Sequence, residues 1–189
     1  MIVVDISVSL DGFVTAPGVD ADHGLGVGGE ALHEWAFADG PDRDVLDAAT
    51  QRTGAVVMGR RTFDVVDTVW DDEVGYGAGN AAQPPCFVVT HTVPDSIRLV
   101  DRFTIVTDGI ESAVRQAAEA AGDEDVVVMG GGDLCGQVLA LGLADELSLH
   151  IAPVVLGGGT TFYPAERLDL EHVRTIQTAN ATHVTYRPR

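Results

Sequence analysis

Val126-Val127-Val128-Met129-Gly130-Gly131-Gly132-Asp133-Leu134 is the stretch on which the fold turns. Four apolar, mostly β-branched residues fit a buried strand, and the apolar segment 134–141 that follows fits a helix. Three glycines between them make a turn without side chains. A helix start exposes unpaired backbone N–H groups and carries partial positive charge, which suits a phosphate. Glycine lets such a ligand come close to the backbone and permits positive φ. The segment therefore reads as a cofactor-binding strand-to-helix turn.

Outward from it, strand-like runs recur at residues 2–9, 55–58, 86–90, 103–107, 126–129, 147–155, 173–178 and 182–187. Helix-like stretches at 29–37, 41–52, 110–121 and 134–141 alternate with them. Pro41 suits a first helical turn, and Asp108 is the expected start of the third helix. Alternating strands and helices, several strands being almost wholly apolar, predict an α/β protein with a mixed, mainly parallel sheet flanked by helices. The last two runs, joined by Ala179-Asn180-Ala181, read as an antiparallel or bulged end of that sheet. The stretch 71–85 is rich in Gly and Pro and reads as a long loop.

The 189 residues fit one domain, 1–189, with a sizeable core. A net charge of −18 arises from 29 acidic against 11 basic residues, and all the basic ones are arginine. Such a surface repels nucleic acid and anionic membrane, so neither is an expected partner. Any anionic ligand must be held by backbone amides and a few placed arginines. Cys86 and Cys135 lie in or beside apolar runs and read as free, buried thiols of a cytoplasmic protein. The N-terminus shows no basic, apolar leader, and no apolar run reaches the roughly 18 residues of a membrane span.

Two strands have one polar face. In the first, Ile2, Val4, Ile6, Val8 and Leu10 alternate with Val3, Asp5, Ser7 and Ser9; in 147–152, Ser148, His150 and Ala152 alternate with apolar residues. A shared cleft lined by Asp5, Ser7 and His150 follows. Gly24-Leu25-Gly26-Val27-Gly28-Gly29 satisfies the dinucleotide fingerprint letter for letter, yet no strand precedes it, so it reads as a loop over the cleft. Val56-Val57-Met58-Gly59-Arg60-Arg61-Thr62-Phe63 ends a buried strand in glycine and presents two arginines at its carboxyl edge, where α/β sheets bind ligands and where Arg can fork a phosphate. Thr90 and His91 end the next strand in the same way. Gly157-Gly158-Gly159-Thr160 reads as a tight turn nearby.

The order of these features resembles the dihydrofolate reductase-like superfamily, and within it the reductase domain of the riboflavin-pathway deaminase-reductase. The resemblance rests on Ser9-Leu10-Asp11-Gly12-Phe13-Val14, Gly29-Glu30-Ala31-Leu32-His33-Glu34-Trp35, Val57 to Phe63, Val128 to Gly132 and Leu149-His150-Ile151-Ala152-Pro153. It implies NADPH as cofactor, with Gly130, Gly131, Gly132, Asp133 and Leu134 facing the pyrophosphate. Gly59, Arg60, Arg61 and Thr62 would hold the adenosine phosphates, Thr90 and His91 the ribose side, and Ser7 and Val14 would border the nicotinamide. It also implies a homodimer. The expected activity is hydride transfer to a small heterocyclic substrate, with Asp5, Glu34 and His150 as candidate proton donors. Where the riboflavin-pathway reductase has a Lys four residues before its Ser-Leu-Asp-Gly serine, this chain has Asp5, and it carries no His/Cys zinc signature of the deaminase half. A reductase of a ribosylaminouracil and a non-catalytic NADP-binding module stand as the alternatives.

Overall fold

The computed structural model describes residues 1–20, 22–70, 76, 83–162 and 167–189, so most of the glycine-rich stretch 71–85 lies outside the described residues. Among the described residues ten strands and five α-helices follow one another. Strands β1 (Ile2–Ser9) and β2 (Phe13–Thr15) lead to a 3-10 turn (Gly29–Leu32), the short α1 (Glu34–Phe37) and α2 (Pro41–Thr50). Then come β3 (Thr53–Gly59), α3 (Arg60–Val69), β4 (Cys86–Val89), β5 (Phe103–Val106), α4 (Ile110–Ala121), β6 (Asp125–Met129) and α5 (Gly132–Ala140). The chain closes with β7 (Glu146–Ala152), β8 (Thr160–Thr161), β9 (Leu170–Gln177) and β10 (Thr182–Pro188).

Eight strands form one sheet in the order β5-β4-β3-β6-β1-β7-β10-β9, and β2 pairs with β8 separately. From β5 to β7 every neighbouring pair is parallel; β10 runs antiparallel to both β7 and β9. The mixed, mainly parallel sheet is the expected one, with a bulge in the β9–β10 pair beside Thr185.

Strand alternation sorts the side chains onto two cores. Val4, Ile6, Ala55, Val57, Val126 and Val128 meet Ala113 and Ala117 of α4 and Leu134, Val138 and Leu139 of α5 on one face. Val56, Met58 and Val88 meet Phe63 and Val66 of α3, and Trp70 just beyond its end, on the other. Burying one such side chain contributes roughly 1.5–3 kcal/mol, and the parallel strands, covered on both sides, need apolar residues at nearly every position. β1 and β7 are exceptions: each has one face carrying polar residues, Asp5, Ser7 and Ser9 in β1 and Ser148 and His150 in β7.

Several expectations require correction. The segment 29–37 is not one helix but a 3-10 turn and a four-residue helix, because the chain turns at His33. The third helix starts from Gly109, with φ 105, rather than from an Asp108 cap; the Asp108 carboxylate instead accepts from Ser112. Leu10 has left the sheet and is exposed. Helix α3 was not expected, although Phe63, Val66 and Trp70 carry its apolar face at i, i+3 and i+7.

Cys86 and Cys135 are free and buried as expected. Burial pushes both thiols up to about 12. The folded protein at neutral pH is therefore expected to resist iodoacetamide, both cysteines reacting once denaturant opens the core; prompt native alkylation would contradict this packing. Among the described residues no helix is long and apolar enough to cross a membrane.

Candidate dinucleotide cleft and a buried polar chain

Strands β3 and β6 are sheet neighbours, and each runs straight into a helix at its carboxyl end. The starts of α3 and α5 therefore lie side by side, joined by a 3.2 Å bond from the Gly59 N–H to the Gly130 carbonyl. Their N-caps are Gly59 and Gly131, and neither has a side chain to cap the first turn. Two sets of first-turn N–H groups thus face the same edge with their dipoles aligned.

The three glycines of this turn differ in what fixes them. A Cβ at Gly132 would lie 2.6 Å from the Thr161 carbonyl and 3.1 Å from Val14 Cγ2, so packing against β8 and β2 excludes it. Gly130 has φ +55, and a Cβ there would approach Thr62 Oγ1 to 2.8 Å. Gly131 has φ −85 and ψ 179, open to any residue, and its Cβ would meet only Thr62 Oγ1 at 3.9 Å. Among the described residues nothing fills that space. It is a cradle with room for a ligand atom against the backbone.

Around it stand the other expected residues. Arg60 is committed, its Nε bonding Asp64 at 2.8 Å and its Nη1 the Thr92 carbonyl at 3.3 Å. Arg61 is exposed and makes no hydrogen bond or ion pair among the described residues. Thr90 is buried with its hydroxyl on the Thr92 carbonyl, while His91 is exposed beside it. Asp133 is exposed and accepts from Gln137, leaving its backbone N–H as its contribution to the helix start. Leu134 is buried in the core beneath the turn.

The literal glycine fingerprint at 24–29 is a loop, as expected. It is pinned to the chain before it by bonds from the Ala16 N–H to the Leu25 carbonyl and from the Val27 N–H to the Pro17 carbonyl. A Cβ at Gly26, where φ is +80, would lie 2.1 Å from the Ala16 carbonyl, so loop packing accounts for that glycine. Asp11 anchors the 157–159 turn by accepting from the Leu156 and Gly157 N–H groups at 3.0 and 2.7 Å. The Ser9 hydroxyl, together with those N–H groups, holds its carboxyl below the usual carboxylate range.

The polar face of β1 meets the polar face of β7. In the parallel ladder Ser7 lies opposite His150, and in the antiparallel ladder His183 of β10 lies opposite His150, so all point to one side. His150 Nε2 is 3.0 Å from Asp5 Oδ1, and His150 Nδ1 is 2.7 Å from His183 Nδ1. His183 Nε2 is 3.2 Å from the Thr178 hydroxyl, which donates to Asp42 in a short hydrogen bond. Asn180 donates to the other Asp42 oxygen at 3.0 Å. Trp35 stacks on His150 with centroids 4.2 Å apart and gives its indole N–H to Ser7 at 3.0 Å.

A cavity of about 340 Å³ between α2 and the sheet reaches this cluster, with Asp5, Ser148, His150 and His183 on its wall. Asp5 is the accessible member, its side chain 22% exposed against 5% for His150 and 2% for Asp42. Burial, reinforced by neighbouring His150, lowers His183 to about 4, and the same causes lower His33 to about 4, so both rings are neutral at pH 7. His33 Nδ1 is buried with no partner among the described residues. Glu34 stays exposed on α1 and outside this cluster.

The sequence reading united Asp5, Ser7 and His150, but it missed Trp35, His183, Thr178 and Asp42. His183 did carry a signal, an inward position in an alternating strand. Asp42 carried none: it is one of several acids near the start of α2, and only the turn holding Thr178 and Asn180 buries it.

The profile of the RibD C-terminal domain family matches residues 1–184. An uncharacterised Bacillus subtilis (strain 168) protein, YyaP, is 26% identical over 182 residues, covering 92% of this chain and 87% of its own. A Shewanella sp. PV-4 protein provisionally ascribed to riboflavin biosynthesis superposes with TM-score 0.74 at 22% identity, over 100% of this chain and 98% of that one. The Thermotoga maritima deaminase/reductase superposes with TM-score 0.69 at 15% identity, over 100% of this chain and 56% of its own. The Saccharomyces cerevisiae riboflavin biosynthesis reductase Rib7 does so at 0.66 and 13%, over 100% and 90%. Profile and fold agree with the resemblance read from the motifs: this chain belongs to the RibD C-terminal domain family, with a dihydrofolate reductase-like fold.

Proposed function

We propose that this protein is an NADPH-dependent reductase of a small conjugated heterocycle, held at the carboxyl edge of the sheet. The observation that carries the reading is the pair of uncapped helix starts with open space over Gly131. The Thermotoga neighbour, named a 5-amino-6-(5-phosphoribosylamino)uracil reductase, and the yeast neighbour, named a riboflavin biosynthesis reductase, support the reaction class.

The N–H groups following Gly59 and Gly131 would take the pyrophosphate, where donors and dipoles favour an anion. Arg61, unengaged among the described residues of a chain of net charge −18, is the group that would fork the extra phosphate of NADPH. Val14 packs against Gly132 and shapes the floor beside the helix start. When bound, the nicotinamide supplies the hydride, and the protein contributes orientation and proton supply. Trp35 and Ser7 close the sheet over His150 and keep water from it. Asp5 is the group that would hold a proton toward substrate, being the exposed end of the polar chain. A carboxylate there disfavours a substrate phosphate at that point, so an uncharged ring edge fits over Asp5 better than an anionic tail.

NADPH at a hundredfold excess over its dissociation constant is expected to raise Tm by about 5–10 °C, from about 2.7 kcal/mol of binding linkage. NADH at the same concentration should do less, and Arg61→Ala should bring the two cofactors together. Equal shifts in the wild-type protein would overturn the Arg61 assignment; no shift with either would overturn the reductase reading.

A further inference from the structure

Proton counting on the buried chain leads beyond the cofactor cleft. Four contacts link five side chains: Asp5 to His150, His150 to His183, His183 to Thr178, and Thr178 to Asp42. Each contact between two such groups needs one proton between them to be a hydrogen bond. One proton on each ring and the Thr178 hydroxyl supply three. The fourth sits either on one of the two end carboxyls or as a second proton on His150, and a chain that carries it on a carboxyl has two mirror-image states. The neutral state of His183 at pH 7 agrees with this count.

We propose that Asp5, His150, His183, Thr178 and Asp42 form a one-proton relay that moves a proton between a buried store, Asp42, and Asp5, the acid that faces the cavity between α2 and the sheet. With the proton on Asp42, Asp42 donates to Thr178, Thr178 to His183 Nε2, His183 Nδ1–H to His150 Nδ1, and His150 Nε2–H to ionised Asp5. One hop at each contact reverses every bond. Asp42 then ends ionised, held by Thr178 and Asn180, while both imidazoles stay neutral with exchanged tautomers and Asp5 ends protonated. One proton leaves Asp42 and one arrives at Asp5, with no other change.

Trp35, stacked on His150 and edge-on to His183 at 4.9 Å, keeps the two rings in register. A substrate seated over Asp5 displaces the water that supports its charge and draws the proton to that end. Within the proposed reduction, on which this destination rests, Asp5 is the catalytic acid, and His150, His183, Thr178 and Asp42 are positioning residues that act through it.

Two isosteric variants lock the relay in opposite directions. In Asp42→Asn the new amide donates to Thr178, so His150 should carry its proton on Nε2 and His183 on Nδ1. In Asp5→Asn the new amide donates to His150 Nε2, so His150 should be protonated on Nδ1 and His183 on Nε2. Two-bond 15N–1H correlation spectra of full-length, histidine-labelled protein distinguish these tautomers at neutral pH. Reversal between the two variants is the expected result; the same tautomers in both, or a doubly protonated ring in either, would overturn the relay. If Asp42→Asn does not fold, the partly exposed Asp5→Asn still decides: Nε2 protonation of His150 there refutes the proposal. The spectra need neither cofactor nor turnover. A protein that shows the reversal but binds no NADPH therefore keeps the relay and loses the reductase reading.

Discussion

Gly131→Val is expected to abolish dinucleotide binding while leaving the fold intact. The backbone at 131 is extended, and its Cβ would meet only Thr62 Oγ1 at 3.9 Å, so the free protein has room for the new side chain. That room is the space in which a phosphate would approach the N–H groups of α5. Filling it removes close approach and its charge-assisted bonds together, and a loss of at least about 100-fold in affinity, roughly 2.7 kcal/mol, is expected. Gly132→Val is the contrasting control. Its Cβ would stand 2.6 Å from the Thr161 carbonyl, which is backbone and cannot step aside, so this variant should lose stability by about 1–3 kcal/mol or more. Calorimetric titration with NADPH and urea denaturation of both proteins make the comparison. Wild-type affinity in Gly131→Val would remove the cradle from the account.

Trp35→Ala has the largest expected effect on stability. Trp35 is 4% exposed, stacks on His150, meets His183 edge-on and donates to Ser7. Truncation leaves a cavity over two histidines and orphans the Ser7 hydroxyl, and a cost of about 3–5 kcal/mol follows. Trp35→Phe keeps a ring over His150 and loses only the indole hydrogen bond, a change of about 1 kcal/mol. Equilibrium urea unfolding separates the two. A Trp35→Ala cost within 1 kcal/mol of wild type would show that α1 and its tryptophan do not hold the polar chain in place.

The elements legible in the sequence are those whose packing repeats along the chain. Val126 to Met129 reads as a strand because both its faces are covered, and Asp5, Ser7 and His150 read as one cleft because strand alternation alone sorts them to one side. The helix start at Gly131 was legible for the same local reason. Helix α3 was missed because its first residues looked like ligand-binding groups, although Phe63, Val66 and Trp70 already showed its apolar period. The split of 29–37 depends on how Trp35 turns inward onto His150, a tertiary contact with no local signature. The division of labour between Arg60 and Arg61 was likewise invisible: Asp64 lies one helical turn away, but the Thr92 carbonyl reaches Arg60 only through the fold. Asp42 and His183 lie far apart in the chain; the fold brings His183 Nε2 within 3.7 Å of Asp42 Oδ1, and Thr178 of the β9–β10 turn bridges the two.

The central claim is that a dinucleotide binds across the paired starts of α3 and α5, and an NADP+ titration followed by backbone 15N–1H spectra tests it most directly. Saturable shifts of the amides of 59–62 and 130–134 are predicted. Binding whose shifts are confined to the opposite sheet edge, around Met1, Arg52 and Asp125, or the absence of saturable binding, would contradict it.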